Sequence, residues 1–157
     1  MTPEQARERF SSARVARLAT ADEFGRPHLV PIVFAVDGDL IYSAVDHKPK
    51  RTAALKRLAN VAANPTAAVL VDHYDDNDWR NLWWARADGR ASVLPRGSEQ
   101  ELRALSLLQA RYPAYLQSPP QGPVLAVHAE RWVGWDAAEN PPLTGLNLEV
   151  GRRAKEL

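Results

Sequence analysis

Apolar and polar positions follow two periods along this chain, one typical of strands and one typical of helices. Runs rich in apolar and β-branched residues predict strands at about 15–20, 27–36, 40–45, 66–74, 81–94 and 124–135. Capping signals, with apolar residues at helical spacing, predict helices at about 2–13, 50–63 and 98–111. The resulting order, α-βββ-α-ββ-α-β, favours an antiparallel sheet or barrel over a doubly wound parallel sheet.

Two glycines follow aspartates at points that matter for the topology. Asp37-Gly38 is a strong tight-turn signal, so we expect the first three strands to form an antiparallel meander. Asp88-Gly89 lies inside the fifth predicted strand. From local sequence alone it fits either a hairpin turn or a β-bulge.

Length and charge narrow the class of protein. The chain has 157 residues and a formal net charge of +1, from 20 basic and 19 acidic side chains. This balance argues against a surface built for nucleic acid, and the longest apolar stretch is too short to cross a bilayer. With no cysteine and no signal peptide, we expect a cytoplasmic protein with neither a nucleic-acid nor a membrane partner. We expect one domain over 1–136 and a polar tail over 137–157.

A group of positive charges lies where the second predicted helix begins. Lys48, Lys50 and Arg51 are followed by Thr52, directly after a strand. Cations oppose the dipole at a helix start by roughly 0.3–1 kcal/mol each, so this placement suggests that an anion such as phosphate binds there. The alternative is a solvated basic helix end.

The tryptophans are numerous for this length. Trp83 and Trp84 are adjacent on a predicted strand, so their side chains face opposite sides of the sheet. One can belong to the core, whereas the other faces solvent, a ligand or a second subunit. Core and dimer-interface roles compete here with a stacking platform for a planar ligand.

Side-chain catalysis has little support in this sequence. The acidic loop at 75–78 lacks the spacing of a calcium loop, and the four histidines are scattered without a metal-binding motif. The chain contains neither a nucleophile-elbow nor a phosphate-loop motif. If the protein is an enzyme, its chemistry is expected to reside in a cofactor.

Several of these segments together resemble a known family. Leu18-Ala19-Thr20, then Gly25-Arg26-Pro27-His28 and Val30-Pro31-Ile32-Val33-Phe34, resemble the opening hairpin of the pyridoxamine 5′-phosphate oxidase-like split β-barrel family. The basic turn at 48–52, the helix ending at Asn64-Pro65 and the strand at 67–71 continue the match. The segment from Trp83 to Ala91 is similar to the middle strand of the branch that uses the deazaflavin coenzyme F420.

The resemblance implies a mainly β (α+β) fold, a six- to seven-stranded antiparallel split β-barrel with peripheral helices, that forms a homodimer with cofactor sites at the subunit interface. It implies that the cofactor phosphate lies against Lys48, Lys50, Arg51 and Thr52. The cofactor ring would lie along the first two strands, at Thr20, Pro31, Ile32 and Val33. Trp83 and Arg86 would come from the other subunit, and Asp88-Gly89 would be a bulge. Pro49 interrupts the basic pattern usual in the family and leaves open which cation contacts the phosphate.

The function implied is transfer of a hydride from reduced coenzyme F420 to a small organic substrate, with no residue marked as a catalytic acid or base. An FMN-dependent oxidase or reductase is the first alternative. Basic residues along an exit groove, for which Lys56 and Arg57 are candidates, would favour the deazaflavin with its acidic tail. A non-catalytic binder of flavin, haem or a similar planar ligand is the second alternative.

Overall fold

The computed structural model describes residues 1–45 and 51–139, with side chains for 1–45 and 56–139. Most of the expected tail, 140–157, lies outside the described residues. The helices are α1 (Pro3–Ser12), α2 (Arg51–Ala63), α3 (Glu99–Arg111) and α4 (Pro113–Gln117). The strands are β1 (Ala16–Ala21), β2 (Pro27–Ile32), β3 (Ala35–Asp37), β4 (Leu40–Ala44), β5 (Thr66–His73), β6 (Trp83–Val93) and β7 (Val124–Asp136), with a 3₁₀ turn at Trp79–Asn81.

All strand pairs in the described part of the chain are antiparallel. They form one seven-stranded sheet in the order β2-β1-β5-β6-β7-β4-β3. The expected antiparallel architecture with peripheral helices is thereby confirmed. The short α4 is an addition that no sequence pattern had predicted. No helix within the described ranges is both long and apolar enough to cross a bilayer.

The predicted single strand at 27–36 is wrong, because the strand is interrupted at Val33 and Phe34. We call this interruption the break. β2 pairs with β1, whereas β3 pairs with β4. These two pieces of one continuous stretch therefore form the two opposite edges of the sheet. The expected meander of the first three strands is wrong for the same reason, since β2 and β4 do not pair.

Tyr112, at the end of α3, holds the break in place. Its hydroxyl lies 3.1 Å from the backbone nitrogen of Phe34 and 2.8 Å from the carbonyl oxygen of the same residue. It also lies 2.9 Å from the carbonyl oxygen of Arg14. The Arg111 guanidinium packs over the Phe34 ring, 5.3 Å from its centroid, and donates to the carbonyl of Ser11. The backbone nitrogen and carbonyl of Phe34, which have no ladder partner at the break, are therefore satisfied by Tyr112.

The main core fills the inside of the curled sheet. Alanine and valine side chains of β5 and β6 line its centre, and Phe10 of α1 packs against Phe34 and Trp132 with ring centroids 5.0 and 5.1 Å apart. A second cluster lies on the outside, where α3 and α4 cover β3, β4 and the first part of β7 through Leu108 and Tyr115. Helices thus cover only one part of the outer surface.

The Asp88-Gly89 signal is a β-bulge, as the resemblance implied, and not a hairpin. The register between β6 and β7 shifts between these two residues, so that Asp88 pairs with Arg131 and Gly89 pairs with Ala129. The extra residue is Glu130 on β7. A Cβ on Gly89 would collide with the backbone carbonyl of His128, so only glycine allows this close approach.

The helix starts follow their capping signals. The Thr2 hydroxyl accepts from the Gln5 backbone, and the Gln5 side chain accepts from the Thr2 backbone, which completes a capping box. On α3 the Ser98 hydroxyl accepts from the Glu101 backbone, but the Glu101 carboxylate accepts from the nitrogen of Gly97, 2.6 Å away. At the start of α3 the capping box therefore lacks its second hydrogen bond, the one from the Ser98 backbone to the Glu101 side chain.

We expect Tyr112→Phe to lower the free energy of unfolding by about 1–3 kcal/mol, because it leaves shielded backbone groups of Phe34 without a partner. Urea unfolding measures this as a lower midpoint with an unchanged slope. Tyr74→Phe is the matched control, because Tyr74 is 62% exposed and its hydroxyl contacts only the nearby Asp76 in the described structure. Equal midpoints for the two variants would contradict the role given to Tyr112.

Candidate functional site

The outer surface of β2, β1, β5, β6 and the last part of β7 is covered by no other element in the described chain. We call it the open face. Its side chains alternate with those of the core. They are Arg17, Ala19, Leu29, Pro31, Ala68, Leu70, Asp72, Trp84, Arg86, Asp88, Arg131, Val133 and Trp135. The open face therefore combines aliphatic and aromatic groups with a few charges.

One row of residues runs straight across the open face. Pro31 pairs with Arg17, Arg17 with Leu70, Leu70 with Arg86, and Arg86 with Val133. Neighbouring strands are about 4.8 Å apart, so the row spans roughly 19 Å from one end to the other. In this row apolar side chains alternate with two guanidinium groups, a combination that suits a planar, partly charged ligand.

Ion pairs fix the charged groups of the open face. The Arg86 Nη2 donates to the Asp88 carboxylate at 2.9 Å, and the Arg86 Nε lies 2.7 Å from the same carboxylate. Arg17 contacts Asp72 at 2.6 Å across the two neighbouring strands. This close pair restrains the orientation of the Arg86 guanidinium. Since each side chain is partly exposed, the N–H groups that do not face Asp88 are available to a ligand.

The predicted ring contacts divide between the two faces of the sheet. Pro31 lies on the open face. The side chains of Thr20 and Ile32 point into the core, where they are 4% and 6% exposed. Val33 lies at the break and packs against the cluster under α3. A ring on the open face would therefore meet the Pro31 side chain but only the backbone at Thr20 and Ile32.

The structure places Trp83 and Arg86 on opposite faces of β6. Trp83 packs against the main core, while Trp84 shares the open face with Arg86. Trp84 pairs directly with Trp135 of β7, so both tryptophans project from this face at the same position of the ladder. Trp84 and Trp135 are thus candidate site residues that the sequence reasoning did not select.

Trp83 instead lies beside a separate cavity of about 240 Å³ at the α1 end of the barrel. The Arg9 guanidinium lies over its ring at 5.3 Å, and the His73 ring stacks nearby at 6.1 Å. The arginines of this cavity have carboxylate partners: Arg9 contacts Asp136 at 2.6 Å and Arg80 contacts Asp78 at 2.8 Å. Their charges are already compensated, which weakens this cavity as an anion site.

The predicted phosphate-binding turn falls mostly outside the described residues. Lys48 and Lys50 lie outside the described residues, and the side chains of Arg51 and Thr52 lie outside the described part of the structure as well. The backbone of both residues forms the first turn of α2, which begins at Arg51. The assignment of this turn to a cofactor phosphate stays a prediction.

A cluster of basic groups lies farther along the same helix. The Asn60 amide donates to the Thr20 hydroxyl at 3.1 Å, and Thr20 pairs with His28 on the neighbouring strand. Partial burial lowers the pKa of His28 below its ordinary value of 6.5, and the nearby charges of Lys56 and Arg57 lower that pKa further. His28 is therefore mainly neutral at pH 7.

The acidic loop before β6 serves local structure. Asp75 accepts from the backbone of Asn77 and from the Asn81 side chain, and these hydrogen bonds lower its pKa. No group of three or more metal-binding side chains occurs in the part of the chain that the structure describes. In the described structure these acidic side chains therefore bond groups of their own loop.

The sequence did contain a signal for the open face. On β6, Arg86, Asp88 and Arg90 alternate with small residues at 85, 87, 89 and 91. Charged side chains are rarely buried in a core, so the even-numbered positions of this strand face outward and the odd-numbered positions face the core. This alternation places Trp84 outside and Trp83 inside. The same parity on β1 groups Thr20 with Leu18 and the core.

The comparisons with known proteins agree with this geometry. The pyridoxamine 5′-phosphate oxidase family model matches residues 2–136. The chain belongs to this family, and its sheet is the split barrel of that family. No curated protein matches the chain.

Solved structures share the fold at low identity. A FAD-binding protein of Mesorhizobium loti is 21% identical with a TM-score of 0.66, over 85% of this chain and 94% of that one. The haem storage protein HutZ of Vibrio cholerae is 19% identical with a TM-score of 0.65, over 87% and 95% of the two chains. The conserved hypothetical protein Rv2991 of Mycobacterium tuberculosis is 21% identical with a TM-score of 0.65, over 87% and 85%. At these identities the likeness shows the fold.

The environment of His28 predicts a pH dependence of stability. Its pKa is lowered in the folded chain, so the unfolded chain binds more protons once the pH falls below about 6.5. The contribution of His28 is present above that pH and is lost as the pH falls through the folded-state pKa. We expect the urea midpoint to decrease between pH 7.5 and pH 5.5, and His28→Gln to reduce this decrease.

An NMR titration checks the cause directly, because the His28 ring resonances give its pKa. A pKa at or above 6.5, or an unchanged pH slope in His28→Gln, would contradict the assignment.

Proposed function

We propose that the protein is a homodimeric oxidoreductase that binds the deazaflavin coenzyme F420 and uses it to reduce a small organic substrate. The observation that supports this most is the open face: five neighbouring strands of the split barrel present a surface of apolar and paired charged side chains that no described element of the chain covers. Family membership supports a flavin-like cofactor. The similarity of 83–91 to the middle strand of the deazaflavin branch supports F420 over FMN.

A second copy of the chain is the proposed cover for the open face. Leu29 is 64% exposed there, and Leu70, Trp84, Val133 and Trp135 are half-buried. Burial of apolar surface contributes roughly 25 cal/mol per Å², so pairing two such faces is favourable. A two-fold axis would bring the same residues of both copies together and would create two equivalent sites.

The open face fits a flavin-like ring by its chemistry. The aliphatic and proline side chains of the row at Pro31 and Leu70 offer flat apolar contact. Arg86, held by Asp88, presents N–H donors at a fixed angle beside that contact. The proposed phosphate contacts are Lys48, Lys50, Arg51 and Thr52, while Thr20, Ile32 and Val33 are proposed to line the ring through their backbone.

In the proposed mechanism the side chains exclude water and orient the substrate, and none acts as an acid or base. A bound reduced deazaflavin supplies a hydride. Leu70 and Trp84 would exclude water from the acceptor, and Arg86 would orient it through a hydrogen bond. The described open face presents no histidine or unpaired carboxylic acid beside Arg86, so the product would take its proton from solvent.

Binding measurements separate this proposal from its alternatives. Purified protein is mixed with coenzyme F420, with FMN and with haem at one fixed salt concentration, and binding is followed by fluorescence or absorbance. We expect micromolar or tighter binding of F420 and weaker binding of FMN. Preference for FMN would assign the protein to the FMN-dependent alternative, whereas haem binding alone would point to a ligand carrier. Failure to bind any flavin-type cofactor would contradict the proposal.

The basic turn can be tested with the double variant Lys50→Ala, Arg51→Ala. Loss of two cations should weaken cofactor binding by about tenfold or more, since charge-assisted contacts to phosphate contribute about 1.5–3 kcal/mol each. Stability should be unchanged or slightly higher, because these charges oppose the helix dipole. Arg152→Ala, Arg153→Ala is the matched control with the same change in net charge. Normal cofactor binding by the first variant would show that the phosphate lies elsewhere.

A further inference from the structure

A row of three side chains ends the core side of the sheet where α1 crosses it. His73 of β5 pairs with Trp83 of β6, and Trp83 pairs with Asp136 of β7. Trp83 packs against the main core and Asp136 is buried, so this row points to the side of the sheet opposite the open face. The row forms one wall of the cavity of about 240 Å³ beside Trp83.

The rest of this cavity is built by other parts of the chain. The Arg9 guanidinium of α1 lies 5.3 Å from the centroid of the Trp83 ring and contacts Asp136 at 2.6 Å. The remaining lining residues belong to the 3₁₀ turn or follow β7, and they are Arg80, Asn81 and Ala138. The cavity thus lies at the mouth of the barrel, a place where ligand pockets commonly form.

The volume of the cavity indicates a ligand of about one ring. An apolar cavity of about 150 Å³ in another protein holds benzene, and pockets for drug-sized molecules begin at about 300 Å³. The cavity beside Trp83, at about 240 Å³, therefore has room for a single aromatic ring with a small substituent. Its ligand is smaller than the flavin-type cofactor proposed for the open face.

The aromatic wall favours a planar ligand. The His73 and Trp83 rings lie within 23° of parallel, with their centroids 6.1 Å apart. One flat ring can therefore lie parallel to both of them, in the offset arrangement that aromatic groups prefer. An aliphatic ligand of the same volume would gain less from this wall.

The charges at the cavity are balanced in pairs. Arg9 contacts Asp136, and Arg80 donates to both carboxylate oxygens of Asp78, at 2.8 and 2.9 Å. Charge-assisted bonds of this kind are stronger than neutral ones, and an anionic ligand would have to displace one of these carboxylates. An uncharged ligand leaves both pairs intact, so the cavity favours a neutral molecule.

Asn81 and His73 offer polar contacts of complementary kinds. The Asn81 side-chain nitrogen donates to Asp75 at 3.1 Å, which leaves the carbonyl oxygen of the same amide as an acceptor for a ligand N–H. His73 is exposed, and an imidazole N–H can donate to a ligand carbonyl. An amide group carries an N–H donor and a carbonyl acceptor side by side and can use both contacts.

We propose that this cavity binds a single neutral heteroaromatic ring that carries an amide group, either as a carboxamide substituent or within the ring. The ring lies parallel to Trp83 and His73, and its amide bonds Asn81 and His73. The site is on the core side of the sheet, so it is separate from the open face and does not depend on the proposed function.

Nicotinamide and nicotinate test the proposal, because they share one ring and differ in an amide against a carboxylate. The full chain is titrated with each, and NMR follows the indole N–H of Trp83 and the ring signals of His73. We expect saturable shifts with nicotinamide and a Kd of about 1 mM or tighter. Nicotinate should bind at least about tenfold more weakly.

His73→Ala should weaken nicotinamide binding by about tenfold, because it removes a ring and a donor from the cavity wall. His73 is exposed, so this variant should fold normally. His128→Ala is the matched control, because His128 is an exposed histidine of β7 that does not line the cavity. It should leave the Kd for nicotinamide within about twofold of the wild-type value.

Several results would overturn the proposal. They are the absence of saturable shifts at millimolar nicotinamide, nicotinate binding that is equal or tighter, and equal affinities of the two histidine variants. Shifts at the Trp84 and Trp135 indoles in place of Trp83 would put the ligand on the open face and also overturn it. Repeating the titration with FMN present tests the separation of the two sites, and competition between FMN and nicotinamide would contradict it.

Discussion

The sheet depends on a single constraint: one stretch of chain, 27–37, supplies both of its edge strands. Because β2 and β3 are consecutive in sequence but lie at opposite ends of the strand order, the sheet must curl until its edges approach each other. The break at Val33 and Phe34 makes this possible. The hydroxyl of Tyr112 stabilises it by bonding both backbone groups of Phe34, and the Arg111 guanidinium packs over the Phe34 ring.

The curl determines what each face of the sheet can do. The inside is narrow, so small residues of β5 and β6 line it and larger rings fill its ends. On the outside, α3 and α4 cover the strands near one edge, and the strands from β2 to β6 stay open. The bulge at Gly89 and Glu130 adds one residue to β7. The side chains of β7 that pair with core residues of β6 therefore point into the core on both sides of the bulge. Trp135 and Val133 consequently join the open face.

Local rules predicted much of this fold and little of the site. The Thr2 cap, the turn at Gly38 and the helix at 99–111 follow from signals within a few residues. The break at Phe34 has no such signal, because its run of β-branched residues reads as one strand and only the distant Tyr112 satisfies it. The alternating charges of β6 indicate that Trp84, not Trp83, faces outward, and the expectation for Trp83 did not take this alternation into account. The hydrogen bond from Asn60 to Thr20 joins residues forty positions apart, which local patterns do not encode.

The central claim is that the open face is the place where two copies meet and enclose the cofactor. Sedimentation velocity at micromolar concentration tests it most directly. The account predicts a species of twice the 17.4 kDa chain mass, which Leu70→Arg on the open face converts to monomer with loss of flavin binding. Leu102→Arg, at a position of α3 that is 60% exposed, should remain a dimer. A wild-type monomer, or identical behaviour of the two variants, would contradict the account.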